Sequence, residues 1–127
     1  MTIVSTVDRS GKPSPVLTFS SGPYAKGKLD RPTYILVDRG TASAAEVFTA
    51  ALQENRAAIV IGEKTFGKAF VQSIQRLTDA SAVVLTVAKY KTPRGLDING
   101  KGIVPDISVP CDSDSDAIAC LDRALNR

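Results

Sequence analysis

The sequence predicts an α/β domain in which a mixed β-sheet is flanked by helices. Three features predict this fold: a β-prone start, a strand–helix–strand pattern over residues 33–62, and an alternating pattern over residues 70–90. A chain of 127 residues with 43% hydrophobic residues is large enough to bury one compact core. We therefore expect residues 1–127 to fold as one domain.

The strand–helix–strand pattern is the clearest part of the prediction. The apolar run 33–37 predicts a buried central strand, and the apolar run 57–62 predicts a second strand. Between them, apolar side chains at positions 47, 48, 51 and 52 recur at helical spacing, which predicts a helix over residues 44–55. Ser43 then lies at the helix N-terminus, and the two strands are expected to pair in parallel.

The rest of the chain predicts β-strands and one more helix. β-prone segments flank a turn at residues 8–13, and a second turn at residues 78–81 joins two alternating segments, which predicts a β-hairpin. Residues 91–110 are rich in Gly and Pro and predict loops around short apolar pieces. A closing helix is expected to begin at Ser113 or Ser115. The β-prone and alternating segments are 3–7, 16–19, 70–77 and 82–90.

Composition excludes several classes of function. The net charge of +3 comes from interleaved acidic and basic residues, so we expect no nucleic-acid partner and no membrane surface. No apolar run is long enough to span a bilayer, and the first residues lack the charged and apolar regions of a signal peptide. A helix between Cys111 and Cys120 would hold their Cα atoms about 13 Å apart, too far for a disulfide.

The absence of histidine is the most useful compositional fact. It removes the usual general base and the usual metal ligand, so neither a Ser-His-Asp site nor a Cys-His site can form. With two cysteines and no histidine, we expect no structural zinc site within this chain. The function inferred below also requires no metal and no organic cofactor. Hydrolytic chemistry would then need a carboxylate or a neutral lysine as its base.

Two segments contain candidate functional residues, and each also has a plain structural interpretation. The spacing of Ser43 and Glu46 matches a capping box, but a helix N-terminus also offers free amides where an oxyanion develops. Lys68 follows a strand in a glycine-containing segment whose spacing is not that of a Walker A loop. By itself, such a lysine is most often simply solvated.

The ordered series of motifs resembles the carboxyl-terminal processing peptidases, or tail-specific proteases. The series comprises Gly40-Thr41-Ala42-Ser43-Ala44-Ala45-Glu46, Gly62-Glu63-Lys64-Thr65-Phe66-Gly67-Lys68, Gln72, Ala88-Lys89-Tyr90, Thr92-Pro93 and Gly102-Ile103-Val104-Pro105-Asp106. Each piece is weak alone, but their order and spacing together are specific. The resemblance covers roughly residues 34–109 and implies a protease core related to the crotonase and ClpP folds.

The resemblance implies a serine–lysine dyad. Ser43 would attack the peptide carbonyl, Lys68 would take and return its proton, and Gln72 would orient the lysine amine. The backbone amide of Ala44 would donate to the oxyanion. Lys68 would have to be partly neutral near pH 7, which requires burial and requires that the carboxylates of Glu46 and Glu63 keep away from its amine.

The resemblance also implies what this chain lacks and what it acts on. The family has an upstream Asn-Pro-Gly-Gly segment and a PDZ domain, and neither occurs here, so residues 1–127 are expected to be a protease core truncated at its N-terminal side. Substrates would be C-terminal tails of proteins or peptides, bound as an added β-strand. Family members work in the bacterial periplasm or the chloroplast thylakoid lumen. The sequence does not predict an oligomeric state.

Three substitutions depart from the family pattern, and two other functions stay open. The departures are Ala45, Ala69 and Ala80, and none falls on the proposed dyad. One alternative is a non-catalytic interaction or scaffold module in which Ser43 is only a helix cap. The other is a crotonase-like acyl-CoA enzyme, which would need a nucleotide pocket that the sequence does not indicate.

Overall fold

The computed structural model of the chain describes residues 2–14, 17–18, 32–110 and 117–126. Within these residues the chain forms seven strands and two helices, which confirms the predicted α/β class. The elements are β1 (Thr2–Asp8), β2 (Leu17–Thr18), β3 (Tyr34–Val37), α1 (Ala44–Glu54), β4 (Ile59–Gly62), β5 (Phe70–Arg76), β6 (Ala82–Lys91), β7 (Ile107–Ser108) and α2 (Ala117–Leu125). No helix in these ranges is long and apolar enough to cross a membrane.

The strands form two sheets of different character. β2, β1, β6 and β5 form an antiparallel sheet in that order, and β3, β4 and β7 form a parallel sheet. The predicted strand–helix–strand unit is confirmed, since β3 and β4 pair in parallel on either side of α1. The predicted hairpin is also confirmed as the antiparallel pair β5 and β6.

The expectation that the run 33–37 is a buried central strand is wrong for the part of the chain that the structure describes. Only β4 pairs with β3 there, so β3 is an edge strand. Its residues alternate in exposure, with Tyr34 38% and Leu36 37% exposed and Val37 buried. A continuous apolar run does not reveal whether both faces of a strand are covered, because the covering elements lie elsewhere in the sequence.

The core lies in two small clusters. Ile61, Val109 and Ala124 pack between the parallel sheet and α2. The other cluster joins Ala50, Ala69, Ile98 and Ile103, with Tyr90 packed against it. Ala50 lies one turn after Glu46 in α1, and Ala69 follows Lys68 directly, so this second cluster supports the segments that carry the candidate site.

The start of α2 and the cysteines are not tested by the structure. The two residues at which this helix was predicted to begin, Ser113 and Ser115, lie outside the described residues, as does Cys111. Within the described range α2 runs from Ala117 to Leu125.

Candidate active site

Ser43 has an unusual backbone conformation. It immediately precedes α1 and has φ 56° and ψ −118°, a combination that glycine tolerates and other residues rarely adopt. Holding a non-glycine residue in such a region costs roughly 1–3 kcal/mol and occurs mostly where the surrounding structure enforces it for function. An ordinary helix cap has an extended conformation instead. The Ser43 side chain is half-buried, and Ala44 begins the helix.

The capping box predicted from the sequence is present, and its carboxylate half is the better formed. The amide of Ser43 donates to Oε2 of Glu46 at 3.0 Å. The amide of Glu46 donates to the Ser43 carbonyl oxygen, also at 3.0 Å, and the Ser43 hydroxyl makes no well-formed capping hydrogen bond.

The carboxylate of Glu46 organises the site. Its side chain is completely buried, and each of its oxygens accepts two hydrogen bonds. Oε1 accepts from the Thr65 hydroxyl at 2.6 Å and from the Gly67 amide at 2.7 Å. Oε2 accepts from the amides of Ser43 at 3.0 Å and Lys68 at 2.8 Å. A buried carboxylate is stable only with such partners, so these four donors and Glu46 depend on one another.

Glu46 brings Ser43 and Lys68 together. Their two amide nitrogens bond the same oxygen atom, so they are no farther apart than the sum of the two distances just given. This contact is made by the main chain of Lys68, whereas the expectation that Glu46 keeps away concerned the Lys68 amine. That expectation is not contradicted, because no ion pair to the Lys68 amine occurs among the described residues.

The segment that carries Lys68 is also held from its other side, by residues 100–103. The Thr65 hydroxyl accepts from the Ile103 amide at 2.7 Å, and the Thr65 amide donates back to the Ile103 carbonyl at 3.1 Å. Gly67 has φ +88°, and a Cβ there would lie 2.7 Å from the Gly102 nitrogen. The two loops therefore hold each other in place, and the backbone at Gly67 leaves no room for a side chain between them.

Two further contacts fix the turn before Ser43. Oδ1 of Asp38 accepts from the amides of Gly40 and Thr41, both at 2.9 Å, which closes a tight turn. Arg39 forms a two-point ion pair with Glu63, with distances of 2.8 and 3.1 Å. This hydrogen bonding lowers the pKa of Glu63 and ties the ends of β3 and β4 together.

The other predicted site residues lie around this centre. The Lys68 side chain is exposed. Gln72 is also exposed and lies on β5, which begins two residues after Lys68. The amide of Ala44 has no acceptor among the described residues, as expected for the first residue of a helix. A free amide at a helix N-terminus can stabilise negative charge.

The central role of Glu46 and Thr65 was not predicted from the sequence. Glu46 was visible only as the third helical residue of a capping box, and Thr65 only as a motif position. Their partners lie 19–38 residues away in the sequence, so no local pattern reveals these contacts. Glu46 lies on the opposite side of the helix from the apolar side chains at positions 47, 48, 51 and 52, so the apolar pattern gives no sign that its carboxylate is buried.

The chain belongs to peptidase family S41, whose sequence model matches residues 1–109. It is 46% identical over 105 residues to a carboxyl-terminal-processing protease of Synechocystis sp., covering 83% of this chain and 23% of that protein. It is 42% identical over 106 residues to the chloroplastic carboxyl-terminal-processing peptidase 3 of Arabidopsis thaliana, covering 84% of this chain and 20% of that protein. The resemblance inferred from the motifs is thus confirmed.

A solved structure is similar as well. The photosystem II D1 C-terminal processing protease matches 99% of this chain and 32% of its own chain, with a TM-score of 0.75 and 34% sequence identity. This match confirms the α/β protease-core fold, whereas the relation to the crotonase and ClpP folds stays a prediction. The chain spans less than a third of the length of these relatives.

Proposed function

We propose that this chain is part of the catalytic domain of a serine-type C-terminal processing peptidase, with Ser43 as nucleophile and Lys68 as general base. The observation that carries the proposal is the strained backbone of Ser43 at the start of α1, anchored to the same Glu46 oxygen as Lys68. Hydrolases commonly hold a nucleophilic serine on a strained turn between a strand and a helix, where its hydroxyl projects and helix amides face the oxyanion. β3 and α1 flank Ser43 in this order.

The mechanism follows from the proposed roles. The Ser43 Oγ attacks the carbonyl carbon of the scissile peptide while the Lys68 amine takes the hydroxyl proton. The oxyanion accepts from the Ala44 amide. The tetrahedral intermediate collapses as the Lys68 ammonium gives its proton to the leaving amine, and water then hydrolyses the acyl-enzyme with Lys68 again as base. Gln72 accepts a hydrogen bond from the amine and orients it. No metal or other cofactor takes part.

The same scheme implies that residues 1–127 work only weakly in isolation. A lysine acting as a base must be covered from water, and the Lys68 side chain is exposed among the described residues. The Ala44 amide also supplies one oxyanion donor where two are usual, and loss of one donor costs about 100-fold or more in rate. Further protein, including an upstream oxyanion segment and a substrate-docking PDZ domain, would supply the cover and the second donor.

The proposed substrates are C-terminal tails of proteins. An unstructured tail can bind as an added strand, with affinity from main-chain hydrogen bonds and selectivity from alternate side chains. One of the two relatives described above is cyanobacterial and the other is chloroplastic, which supports the thylakoid lumen as the compartment of this protein. The bacterial periplasm is the alternative compartment.

The competing function is a non-catalytic interaction or scaffold module in which Ser43 is only a helix cap. The capping box favours it, but the positive φ of Ser43 does not, because capping needs no such strain.

A fluorophosphonate probe separates the two functions in the full-length protein. We expect an adduct on Ser43 by peptide mapping and its loss in Lys68→Ala. Unchanged cleavage of an unstructured C-terminal tail by Ser43→Ala would disprove the catalytic assignment.

Substitution of Ser43 by glycine tests whether the backbone of Ser43 is strained, and this test needs no substrate. Glycine relieves roughly 1–3 kcal/mol of backbone strain but adds about 0.5–1 kcal/mol of unfolded-state entropy. Ser43→Gly should therefore be as stable as the wild type or up to about 2.5 kcal/mol more stable in urea unfolding, while Ser43→Ala gains nothing. A clear loss of stability in Ser43→Gly relative to Ser43→Ala would show that the strain is absent.

A further inference from the structure

The outer edge of β5 is an open strand edge beside the candidate dyad. β5 is the last strand in the order β2, β1, β6, β5, and among the described residues it pairs with β6 alone. An open edge presents unpaired N–H and C=O groups that can pair with another extended chain. Its position is what distinguishes this edge: β5 begins two residues after Lys68 and carries Gln72.

Hydrogen bonds at both ends of β5 show which main-chain groups face the open edge. The Tyr90 amide donates to the Ala69 carbonyl at 2.7 Å, and the Leu77 amide donates to the Ser81 carbonyl at 2.9 Å. Ala69 and Leu77 therefore face β6. Main-chain direction alternates along a strand, so the intervening even-numbered residues face the open edge. These residues are Phe70, Gln72, Ile74 and Arg76.

A bulge in the hairpin does not interrupt this alternation. The register shifts between Val71, which pairs with Ala88, and Gln72, which pairs with Thr86. The extra residue, Val87, thus lies in β6 and leaves the repeat of β5 intact. Bulges are common beside active sites, where they re-aim neighbouring side chains.

The start of the open edge is fixed relative to the nucleophile. The Lys68 amide bonds the Glu46 oxygen that also bonds the Ser43 amide, so the chain enters β5 from a point anchored beside Ser43. The side chain of Ile74, 66% exposed, lies on the same face of the strand as Gln72 and opposite Val84 on β6, which is 55% exposed. This pair offers an apolar contact close to the start of the edge.

We propose that the open edge of β5 is the strand on which the substrate docks. An extended peptide pairs with the main-chain groups of Phe70, Gln72 and Ile74, and an apolar side chain of the peptide rests on Ile74 and Val84. Three such residues span about 13 Å at roughly 3.3 Å per residue, so recognition falls within about five residues of the scissile bond. This inference rests on the proposed function, because it takes Ser43 as the point of attack.

A scan with N-methylated peptides tests the docking mode. The probe is a fluorescent ten-residue peptide with an apolar C-terminal half, and its binding to full-length protein carrying Ser43→Ala is followed by fluorescence anisotropy. Methylation of an amide that pairs with β5 should weaken binding about 2- to 10-fold, and methylation of the next amide should not. Only strand pairing predicts that the sensitivity of binding to methylation alternates from one amide to the next. Uniform sensitivity, or none, would overturn the proposal.

A pair of proline variants tests the strand itself. Ile74→Pro removes an N–H that faces the open edge and leaves the pairing with β6, so it should weaken peptide binding several-fold with little change in melting temperature. Ser73→Pro removes an N–H that faces β6 and should lower the melting temperature. Ile74→Val keeps the N–H and should bind like the wild type. Wild-type affinity in a folded Ile74→Pro protein would refute docking at this edge.

The two proposals fail in distinguishable ways. If Ser43 takes no probe and no cleavage occurs, but the methylation pattern still alternates, the docking edge stands and the catalytic assignment falls. If cleavage depends on Ser43 but the pattern does not alternate, the catalytic assignment stands and the docking edge falls.

Discussion

The substitution Glu46→Gln tests whether the buried carboxylate holds the candidate site together. Glutamine has nearly the same shape, but its NH₂ group would face two of the four donors that the carboxylate now accepts. At least two charge-assisted hydrogen bonds are lost, each contributing about 1.5–3 kcal/mol. We expect the free energy of unfolding to fall by about 3–6 kcal/mol, a large part of the about 5–15 kcal/mol typical of a domain.

The assay is urea unfolding at pH 7, followed by far-UV circular dichroism, with Glu54→Gln as the control. Glu54 lies in the same helix, and its carboxylate accepts one hydrogen bond, from the Arg94 amide at 2.7 Å. The glutamine oxygen can keep that bond, so the control should lose less than about 1 kcal/mol. If Glu46→Gln is as stable as this control, the carboxylate does not hold the two segments, and the account of the site is wrong.

Three further substitutions probe the same region and the loop that follows β6. Thr65→Val removes the hydroxyl between Glu46 and the Ile103 amide and should cost about 2–4 kcal/mol in urea unfolding, whereas Thr65→Ser keeps both bonds and should cost less than about 1. Gly67→Ala forces a Cβ against the neighbouring loop at positive φ and should lower the melting temperature, by an equivalent of about 2 kcal/mol or more; an unchanged value would contradict the close approach. An amide hydrogen bond and two lysines lower the pKa of Asp97 from its usual value of 3.8. The Asp97 carboxylate therefore stabilises the fold at a pH above the unfolded pKa. This contribution disappears as the pH falls through the lower folded pKa. Asp97→Asn should therefore reduce the loss of stability between pH 5 and about pH 2, measured by urea unfolding across that range; an unchanged pH dependence would contradict the shift.

Local patterns predicted the parts of the site that depend on neighbours in the sequence. Helical spacing placed Ser43 at the start of α1, and alternation placed Gln72 on a hairpin strand, because each property repeats within a few residues. The edge position of β3 among the described strands and the division of strands between two sheets were not predicted, since strand neighbours are set by tertiary packing. The positive φ of Ser43 was also invisible, because serine gives no local sign of a conformation that the contacts of Glu46 impose from a distance.

The shared oxygen of Glu46 has a consequence for how the site assembles during folding. The turn before α1 and the loop before β5 lie more than twenty residues apart in sequence. The Ser43 amide finds its acceptor within α1, but the amides of Gly67 and Lys68 are satisfied only when their loop reaches Glu46. Opening either segment leaves a buried charge short of partners, so the two segments should open and close as one cooperative unit. The arrangement that holds Ser43 beside the Lys68 segment is therefore formed, and lost, in one event.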